Sequence, residues 1–307
     1  MAQRQSSGER ATGRPRSRPT TTDQPAVTHP EKVLWPDDGI TKGDLIAYYR
    51  TVAPVVLPHL RDRPLVLRPF PRGITGPSYY RQSLPAAAPA WLPRYTHIAK
   101  ADAQPNAMVL IPNEAALVWL ANQAAIELHP WLSRIDRPDA PDFLVFDLDV
   151  VEGALFALAL RVALLLRAEL ARAGLRCYAK TSGGDGVHVY VPITRGPGYD
   201  ETRAFAQAVA ERLRGRHPDI IATDARLAGR AAKVLVDYAQ NALGRTTAAV
   251  YSVRPRPGAT VSTPLTWDDV AVGRVRPTDF TIRTVPARIG QYGDLFAGVL
   301  GGDQRLR

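Results

Sequence analysis

The sequence predicts an α+β fold with a largely antiparallel or mixed sheet. Apolar segments with strand spacing and with helix spacing follow one another without a regular βαβ rhythm. A chain of 307 residues that is 45% hydrophobic can also bury a substantial core. We expect one body over residues 27–307. Residues 1–26 are rich in Arg, Ser, Thr, Gln and Pro, so we expect them to form a disordered basic tail.

Two helices are predicted in the first half of the body. Thr41 and Asp44 have capping-box spacing, and apolar residues at helical spacing follow as far as Leu57. Asn113 is placed to cap a second helix over residues 114–128. Strands and proline-containing loops are expected between these two helices.

The second half has clearer boundaries. Strands are predicted at residues 142–149, 175–181, 187–192 and 233–238, and helices at 154–173 and 199–214. Gly174 suits a left-handed cap after the first of these helices. Residues 247–265 contain further strand-like alternation, and the pair Asp268-Asp269 is read as a helix start.

Composition limits the class of protein. The formal net charge of +10 favours a polyanionic partner, either nucleic acid or an anionic membrane surface. The single cysteine, Cys177, excludes an intrachain disulfide and a cysteine-rich zinc site. Residues 1–26 lack the apolar segment of a signal peptide, and the longest apolar stretch, residues 154–166, contains Arg161. We therefore expect a soluble cytoplasmic protein without a membrane partner.

Two acidic residues end the strand predicted at 142–149. Asp147 and Asp149 are two positions apart, so their carboxylates point to the same face of a strand. Like charges this close favour a bound cation, and oxygen ligands favour Mg²⁺ or Mn²⁺. A lone Asp-x-Asp is more often two acids that meet solvent, so further signals are needed.

A glycine-rich loop gives the second signal. Residues 182–186 contain three glycines, Gly183, Gly184 and Gly186, and join two predicted strands. Such a loop is expected to expose backbone N–H groups to phosphate oxygens, and Ser182 adds a hydroxyl donor. An ordinary glycine-rich hairpin is the alternative interpretation.

A third signal is the acid that ends the strand at 233–238. Asp237 completes a carboxylate trio if its strand end lies beside Asp147 and Asp149. Four polar residues that follow would then surround a triphosphate with donors: Gln240, Asn241, Arg245 and Arg254.

The order and content of these motifs resemble the archaeo-eukaryotic primase superfamily. The similarity rests on residues 145–149, 180–191 and 234–241 together with 246–254. The closer resemblance is to the polymerase domain of bacterial ligase D and its stand-alone primase-polymerase relatives, which act in non-homologous end joining. Two further segments match the family's opening signatures, 29–36 and 41–44.

The resemblance implies a role for each matching residue. Asp147, Asp149 and Asp237 would bind the catalytic metals, two ions of Mn²⁺ or Mg²⁺. The incoming nucleotide would be contacted by His129, Ser182, Gly184, Gly186 and His188, with Gln240, Asn241 and Arg254 nearby. Lys32 and Lys42 would bind a 5′-phosphate on the DNA, and Tyr79 and Tyr80 would support the templating base. The family usually has lysine at Asp185, and we expect this acid to turn away or to meet a cation.

The resemblance also implies an activity and partners. The protein would add nucleotides, preferably ribonucleotides, to a DNA 3′ end during gap filling or repair of broken ends. DNA with a 5′-phosphate and NTP or dNTP would be its substrates. A separate ATP-dependent DNA ligase and Ku would be partners at the nucleoid.

Two other functions remain open on the residues alone. A non-catalytic DNA-end binding module would keep Lys32 and Lys42 and use the aspartates structurally. A metal-dependent nuclease would also use clustered carboxylates, although the glycine-rich loop and the arginines suit a triphosphate better.

Overall fold

The computed structural model describes residues 25–98, 105–151, 155–224 and 232–306. The segment predicted to be a disordered tail, residues 1–26, lies outside the described residues except for its last two. The described helices are α1 (Lys42–Leu60), α2 (Glu114–Asn122), α3 (Phe156–Arg172), α4 (Tyr199–Arg216), α5 (Trp267–Val272) and α6 (Val285–Tyr292). Short 3₁₀ helices occupy Pro277–Asp279 and Ala297–Leu300.

The strands form sheets of different size. The strands are β1 (Val33–Trp35), β2 (Ile40–Thr41), β3 (Leu65–Pro69), β4 (Arg94–His97), β5 (Asn106–Val109), β6 (Ala125–Pro130), β7 (Phe143–Val150), β8 (Tyr178–Thr181), β9 (Val187–Pro192), β10 (Ile221–Ala222), β11 (Val234–Asp237) and β12 (Pro264–Leu265). Within the described ranges, a six-stranded sheet has the order β10-β11-β7-β9-β8-β12 and a four-stranded sheet the order β4-β5-β3-β6. Only the β10–β11 pair of the larger sheet is parallel. The predicted α+β class with a mixed, largely antiparallel sheet is confirmed.

The predicted capping box forms at the start of α1, and a second capping box forms at the start of α5. Thr41 Oγ1 accepts the backbone N–H of Asp44, and the Asp44 carboxylate accepts the backbone N–H of Thr41. Thr266 and Asp269 repeat this exchange at α5, so the Asp268-Asp269 pair begins a helix as predicted. Local side-chain chemistry therefore fixes both starts.

One predicted element is wrong in its second half. The helix that begins after Asn113 ends at Asn122, and residues 125–130 form strand β6 instead. Ala124, with φ of 53°, turns the chain between them. All six residues of β6 are buried, because β6 pairs along the whole of β3. Pairing with a distant strand outweighs the helical spacing of this segment.

The two larger sheets meet along the segment that follows β11. Thr246 bridges to Trp131, and Ala249 donates its backbone N–H to the carbonyl oxygen of Leu128 at 2.8 Å. One continuous apolar core extends through both sheets and α1–α4. The strand-like alternation predicted for 247–265 yields β12 and two isolated bridges, Val253 with Val261 and Thr260 with Thr281. No helix in the described ranges is long and apolar enough to cross a membrane.

Candidate active site

A polar cleft lies where the two sheets meet. Its volume is about 300 Å³. Its walls come from the ends of β6 and β7, the β8–β9 loop and the chain between residues 246 and 256. The lining residues are Tyr80, His129, Asp147, Asp149, Val150, Ser182, Gly184, Asp185, Gly186, His188, Thr246, Thr247, Ala248, Arg254 and Arg256. Nine residues predicted to form the site therefore line one cavity.

The three predicted aspartates lie on one face of the larger sheet. Asp147 and Asp149 are two residues apart on β7, and Asp237 on β11 is directly opposite Asp147. Side chains at i and i+2, and those of directly opposed residues in an antiparallel pair, point to the same side. The prediction that Asp237 ends a strand beside the other two is therefore met in this geometry.

The electrostatics of these aspartates reflect their crowding. Burial in the cleft wall and the negative charges of Asp147 and Asp237 raise the pKa of Asp149 to about 7, although its surface is partly accessible. Burial opposes ionisation of Asp147 too, but the nearby His188 and Lys180 outweigh it and lower the pKa of Asp147. Asp147 is therefore ionised at neutral pH, whereas the Asp149 carboxyl resists ionisation because its charge is not balanced.

The aspartates have not converged on a common point. Across residues 25–98, 105–151, 155–224 and 232–306, no three His, Cys, Asp or Glu side chains are close enough together to hold one ion. Asp237 accepts the backbone N–H of Ala239 at 2.7 Å and the Gln240 amide at 2.9 Å, one on each oxygen. Each carboxylate oxygen keeps a second lone pair.

The donor set nevertheless fits a hard divalent cation. The buried Oδ1 of Asp147 has no hydrogen-bond partner, although His188 Nε2 lies 3.2 Å away. Carboxylate oxygens alone suit Mg²⁺ or Mn²⁺ rather than a soft metal. The carboxylates already lie on one face of the sheet, where a bound divalent cation would balance their negative charges.

The glycine-rich loop is held from within. Ser182 Oγ accepts the backbone N–H groups of both Gly184 and Gly186, each at 3.1 Å. These two donors are thus engaged, and the expectation that the loop offers them to phosphate is wrong for both. A Cβ on Gly186 would lie 2.5 Å from the carbonyl oxygen of Leu148, so the loop must be glycine there to pack on β7. Gly184 meets no such barrier.

Arg254 provides the main positive charge in the cleft. Its Nη1 donates to the carbonyl oxygen of Ser182 at 2.9 Å, and its Nε lies 2.6 Å from Glu127 Oε1. Glu127 has no exposed surface and also binds Arg68 at 3.1 Å. Burial opposes its ionisation, but His129, Arg254 and Arg68 together lower the pKa of Glu127 to about 2. The buried Glu127 carboxylate therefore holds the Arg254 side chain in place.

The two predicted histidines both face the cleft. His129 and His188 are buried, with 6% and 3% of their surfaces exposed. Burial lowers the pKa of His188 to about 4 and lowers that of His129 as well. Both imidazoles are therefore neutral at physiological pH.

The aromatic pair divides between two environments. Tyr80 lines the cleft, meets His129 edge to face at 5.4 Å and lies under Arg68 at 5.1 Å. Tyr79 does not line it and carries Arg81 on its ring at 5.2 Å instead. Both rings are about half exposed. Of the pair, only Tyr80 can stack on a base held in the cleft.

The two predicted phosphate-binding lysines lie side by side. The backbone N–H of Lys42 donates to the carbonyl oxygen of Lys32 at 2.8 Å. Burial and the charge of Lys32 lower the pKa of Lys42, and Lys42 Nζ donates to Thr28 Oγ1 at 3.3 Å. Two ammonium groups held this close favour an anion between them.

Three predicted nucleotide-binding residues lie elsewhere. Asn241 is 1% exposed, and its amide bonds both backbone groups of Val145, at 2.8 and 2.7 Å. It therefore fastens the turn after β11 to β7, which corrects its predicted role. Gln240 holds Asp237, and Arg245 lines a neighbouring cavity with Trp131.

Asp185 meets a cation, as expected. Its carboxylate lies 2.9 Å from Arg256 Nη2, and both side chains are more than half exposed. Residues that sequence reasoning missed are Glu127, Lys180 and Arg256. The only signal for Glu127 and Lys180 was a charged residue inside an otherwise apolar strand.

Comparison with known proteins gives a consistent result. The sequence model of the family described as "LigD, primase-polymerase domain" matches residues 41–296. The multifunctional non-homologous end joining protein LigD of Mycolicibacterium smegmatis is 34% identical over 275 residues, which cover 88% of this chain and 35% of that protein. The bifunctional LigD of Bacillus subtilis is 30% identical over 264 residues, 86% of this chain and 42% of that protein.

A solved structure is also similar. The polymerase domain of Mycobacterium tuberculosis ligase D in complex with DNA aligns with a TM-score of 0.86 and 33% identity, over 91% of this chain and 99% of that one. This chain spans about a third of the length of the mycobacterial relatives.

Proposed function

Because the chain belongs to the LigD primase-polymerase domain family, we propose that it extends a DNA 3′ end with nucleotides during repair of broken DNA. The family consists of metal-dependent, DNA-directed nucleotidyltransferases. The observation that supports the proposal is that Asp147 and Asp149 line one cleft with Arg254 and His188, while Asp237 lies directly opposite Asp147 on the same face of the sheet. We further propose that residues 27–307 act as one catalytic body.

In this proposal the aspartates hold two divalent cations, Mn²⁺ or Mg²⁺. Asp147 and Asp149 on β7 and Asp237 on β11 supply the oxygen ligands. When bound, such ions supply charge neutralisation at the α-phosphate and activation of the attacking 3′-hydroxyl. Gln240 keeps the Asp237 carboxylate oriented through its 2.9 Å hydrogen bond.

The opposite wall of the cleft binds the nucleotide. Arg254, fixed by Glu127, offers its guanidinium to phosphate oxygens, which favour such a planar donor. His129 and His188 remain neutral, so neither imidazole repels a cation, and His129 adds an N–H donor. Tyr80 provides a ring on which a base stacks, a contact worth about 1–3 kcal/mol.

The DNA end is bound farther along the chain. Lys32 and Lys42 form a two-lysine site for a 5′-phosphate, in accord with the charge of Lys32 that lowers the pKa of Lys42. We also propose, on the family resemblance, a ribonucleotide preference and cooperation with a DNA ligase and Ku at the nucleoid; the end-joining name of the relatives supports a role in that repair.

Primer extension on gapped, 5′-phosphorylated DNA tests this function. The wild type should lengthen the primer with Mn²⁺ or Mg²⁺, and with NTP more readily than dNTP. The double variant Asp147→Asn with Asp149→Asn should lose extension and keep DNA binding, measured by fluorescence anisotropy. Asp219→Asn, an exposed aspartate on another surface, is the matched control.

The other candidate functions give different results in the same assay. Primer shortening without nucleotides, and no lengthening with them, would identify a nuclease. If the double variant extended the primer as well as the wild type does, Asp147 and Asp149 would have no catalytic role. DNA binding without either reaction, in every metal, would identify a binding module.

A further inference from the structure

A buried lysine lies behind the cleft and has no role in the function proposed above. Lys180 on β8 has no exposed surface and is directly opposite His188 on β9. Lysine is rarely enclosed in this way unless its ammonium group is fully hydrogen-bonded. The surroundings of Nζ therefore indicate what the side chain does.

Three acceptors surround Lys180 Nζ. They are His188 Nδ1 at 2.7 Å, the carbonyl oxygen of Ala248 at 2.9 Å and Ser262 Oγ at 2.6 Å. Ser262 donates its own hydroxyl hydrogen to the carbonyl oxygen of Thr181 at 2.8 Å, so it can only accept from Lys180. Burial lowers the pKa of Lys180, but the three partners match the three donors of an ammonium group, which has no acceptor.

The second nitrogen of the same imidazole faces the aspartates. His188 Nε2 lies 3.2 Å from Asp147 Oδ1, and an ionised carboxylate can only accept a hydrogen bond. If Nδ1 accepts from Lys180, the single ring hydrogen of a neutral imidazole must be on Nε2. The contact with Lys180 is then a hydrogen bond, while the contact with Asp147 is a close electrostatic approach, since Asp147 Oδ1 has no hydrogen-bond partner.

We propose that Lys180 is a positioning residue, which holds His188 with its hydrogen on Nε2 and directed toward Asp147 in the cleft. The cross-strand register fixes the Lys180 side chain beside the ring, and Ala248 and Ser262 fix the ammonium group in turn. Without the ammonium group, Nδ1 would lose its donor and the ring could turn or exchange its hydrogen. The kinetic part of this inference rests on the proposed function.

Nitrogen-15 NMR of histidine-labelled, full-length protein tests the assignment directly. The wild type should show His188 with an unprotonated Nδ1 and a protonated Nε2, identified by loss of the signal in His188→Gln. Lys180→Met, which keeps the side-chain length, should lose this single-tautomer signature. Lys233→Met is the matched control, because Lys233 directly precedes β11 and its ammonium group donates an exposed hydrogen bond to the carbonyl oxygen of Pro218.

Kinetics provide the second readout. Residues that orient a group at a reacting centre typically change activity by about 10–100-fold when removed. Lys180→Met should therefore lower kcat for primer extension by about that factor and change the KM for nucleotide by less than about threefold. Lys233→Met should change neither parameter.

Each outcome decides the inference. A hydrogen on Nδ1 in the wild type, or unchanged kcat and tautomer in Lys180→Met, would overturn it. If Lys180→Met fails to fold, the wild-type spectrum still tests the tautomer, and Ser262→Ala, which removes one acceptor, should lower kcat by a smaller factor. A wild type that extends no primer contradicts the proposed function, while its NMR spectrum still reports on Lys180 and His188.

Discussion

Two carboxylates that both interact with Arg254 have opposite environments. Glu127 is enclosed and is neutralised by Arg254 and Arg68, and with His129 beside it its pKa falls to about 2. Asp149 faces the cleft beside Asp147 and Asp237, and its pKa rises to about 7. One acid has its counter-charges within the fold, and the other is surrounded by charges of its own sign. The first stabilises the protein, and the second is suited to an added cation.

The largest difference is expected in catalysis. Asp149→Asn removes a proposed cation ligand, and the several kcal/mol that metal ions contribute to such transfers correspond to a loss of about a thousandfold or more in extension rate. Single-turnover primer extension measures this loss. Extension within tenfold of the wild type would contradict the assignment of Asp149 to the metal site.

The next effect is on stability. Glu127→Gln leaves two arginines without their buried partner, and we expect unfolding free energy to fall by about 1–3 kcal/mol, because both arginines retain some solvent. Denaturant unfolding measures it. Glu114→Gln, in an exposed pair with Arg50, should cost less than about 1 kcal/mol and is the control. Equal losses of unfolding free energy in Glu127→Gln and Glu114→Gln would contradict the conclusion that the buried Glu127 stabilises the protein more than an exposed ion pair does.

The two carboxylates should also differ in pH dependence. The folded pKa of Asp149 is raised, so its ionisation destabilises the metal-free fold, beginning above its ordinary pKa of 3.8 and complete near pH 7. Asp149→Asn should match the wild type near pH 4 and become more stable than it as the pH rises to about 7, in buffer with chelator.

The folded pKa of Glu127 is lowered, so its stabilisation is complete above about pH 4.5 and is lost as the pH falls toward 2. Glu127→Gln should thus differ most from the wild type at neutral pH and least in acid. Unfolding measured from pH 2 to 8 compares all three proteins. A variant curve parallel to that of the wild type would contradict the corresponding pKa.

The smallest effect is expected at the exposed pair. Asp185 and Arg256 lie 2.9 Å apart, but both side chains are more than half exposed to solvent. Asp185→Ala should change unfolding free energy by less than about 0.5 kcal/mol, and added salt should erase the difference. A larger, salt-independent loss would indicate that Asp185 has a structural role in the loop.

Several features of the site could be read from local sequence alone. The two-residue spacing of Asp147 and Asp149 determines that they share a face once their segment is a strand. The capping box at Thr41 determines where α1 begins. The motifs at 145–149 and 180–191 were sufficient for the family resemblance, which the match over residues 41–296 confirms.

Other features could not be read in this way. Asn241 follows Asp237 by four residues, yet it binds Val145, 96 residues away, rather than facing the cleft. Residues 125–130 have helical spacing but pair with β3. In both cases, a partner distant in the chain decides the outcome.

The sequence by itself determined which side chains share a strand face, where helices are capped and which family motifs are present, because these depend on neighbours a few residues apart. Only the tertiary structure decided which charges are neutralised. Glu127 and Lys180 look alike in sequence, as single charges in apolar strands, and their partners Arg254 and Ser262 come from other parts of the chain. Burial makes those partners necessary, and chain packing alone supplies them.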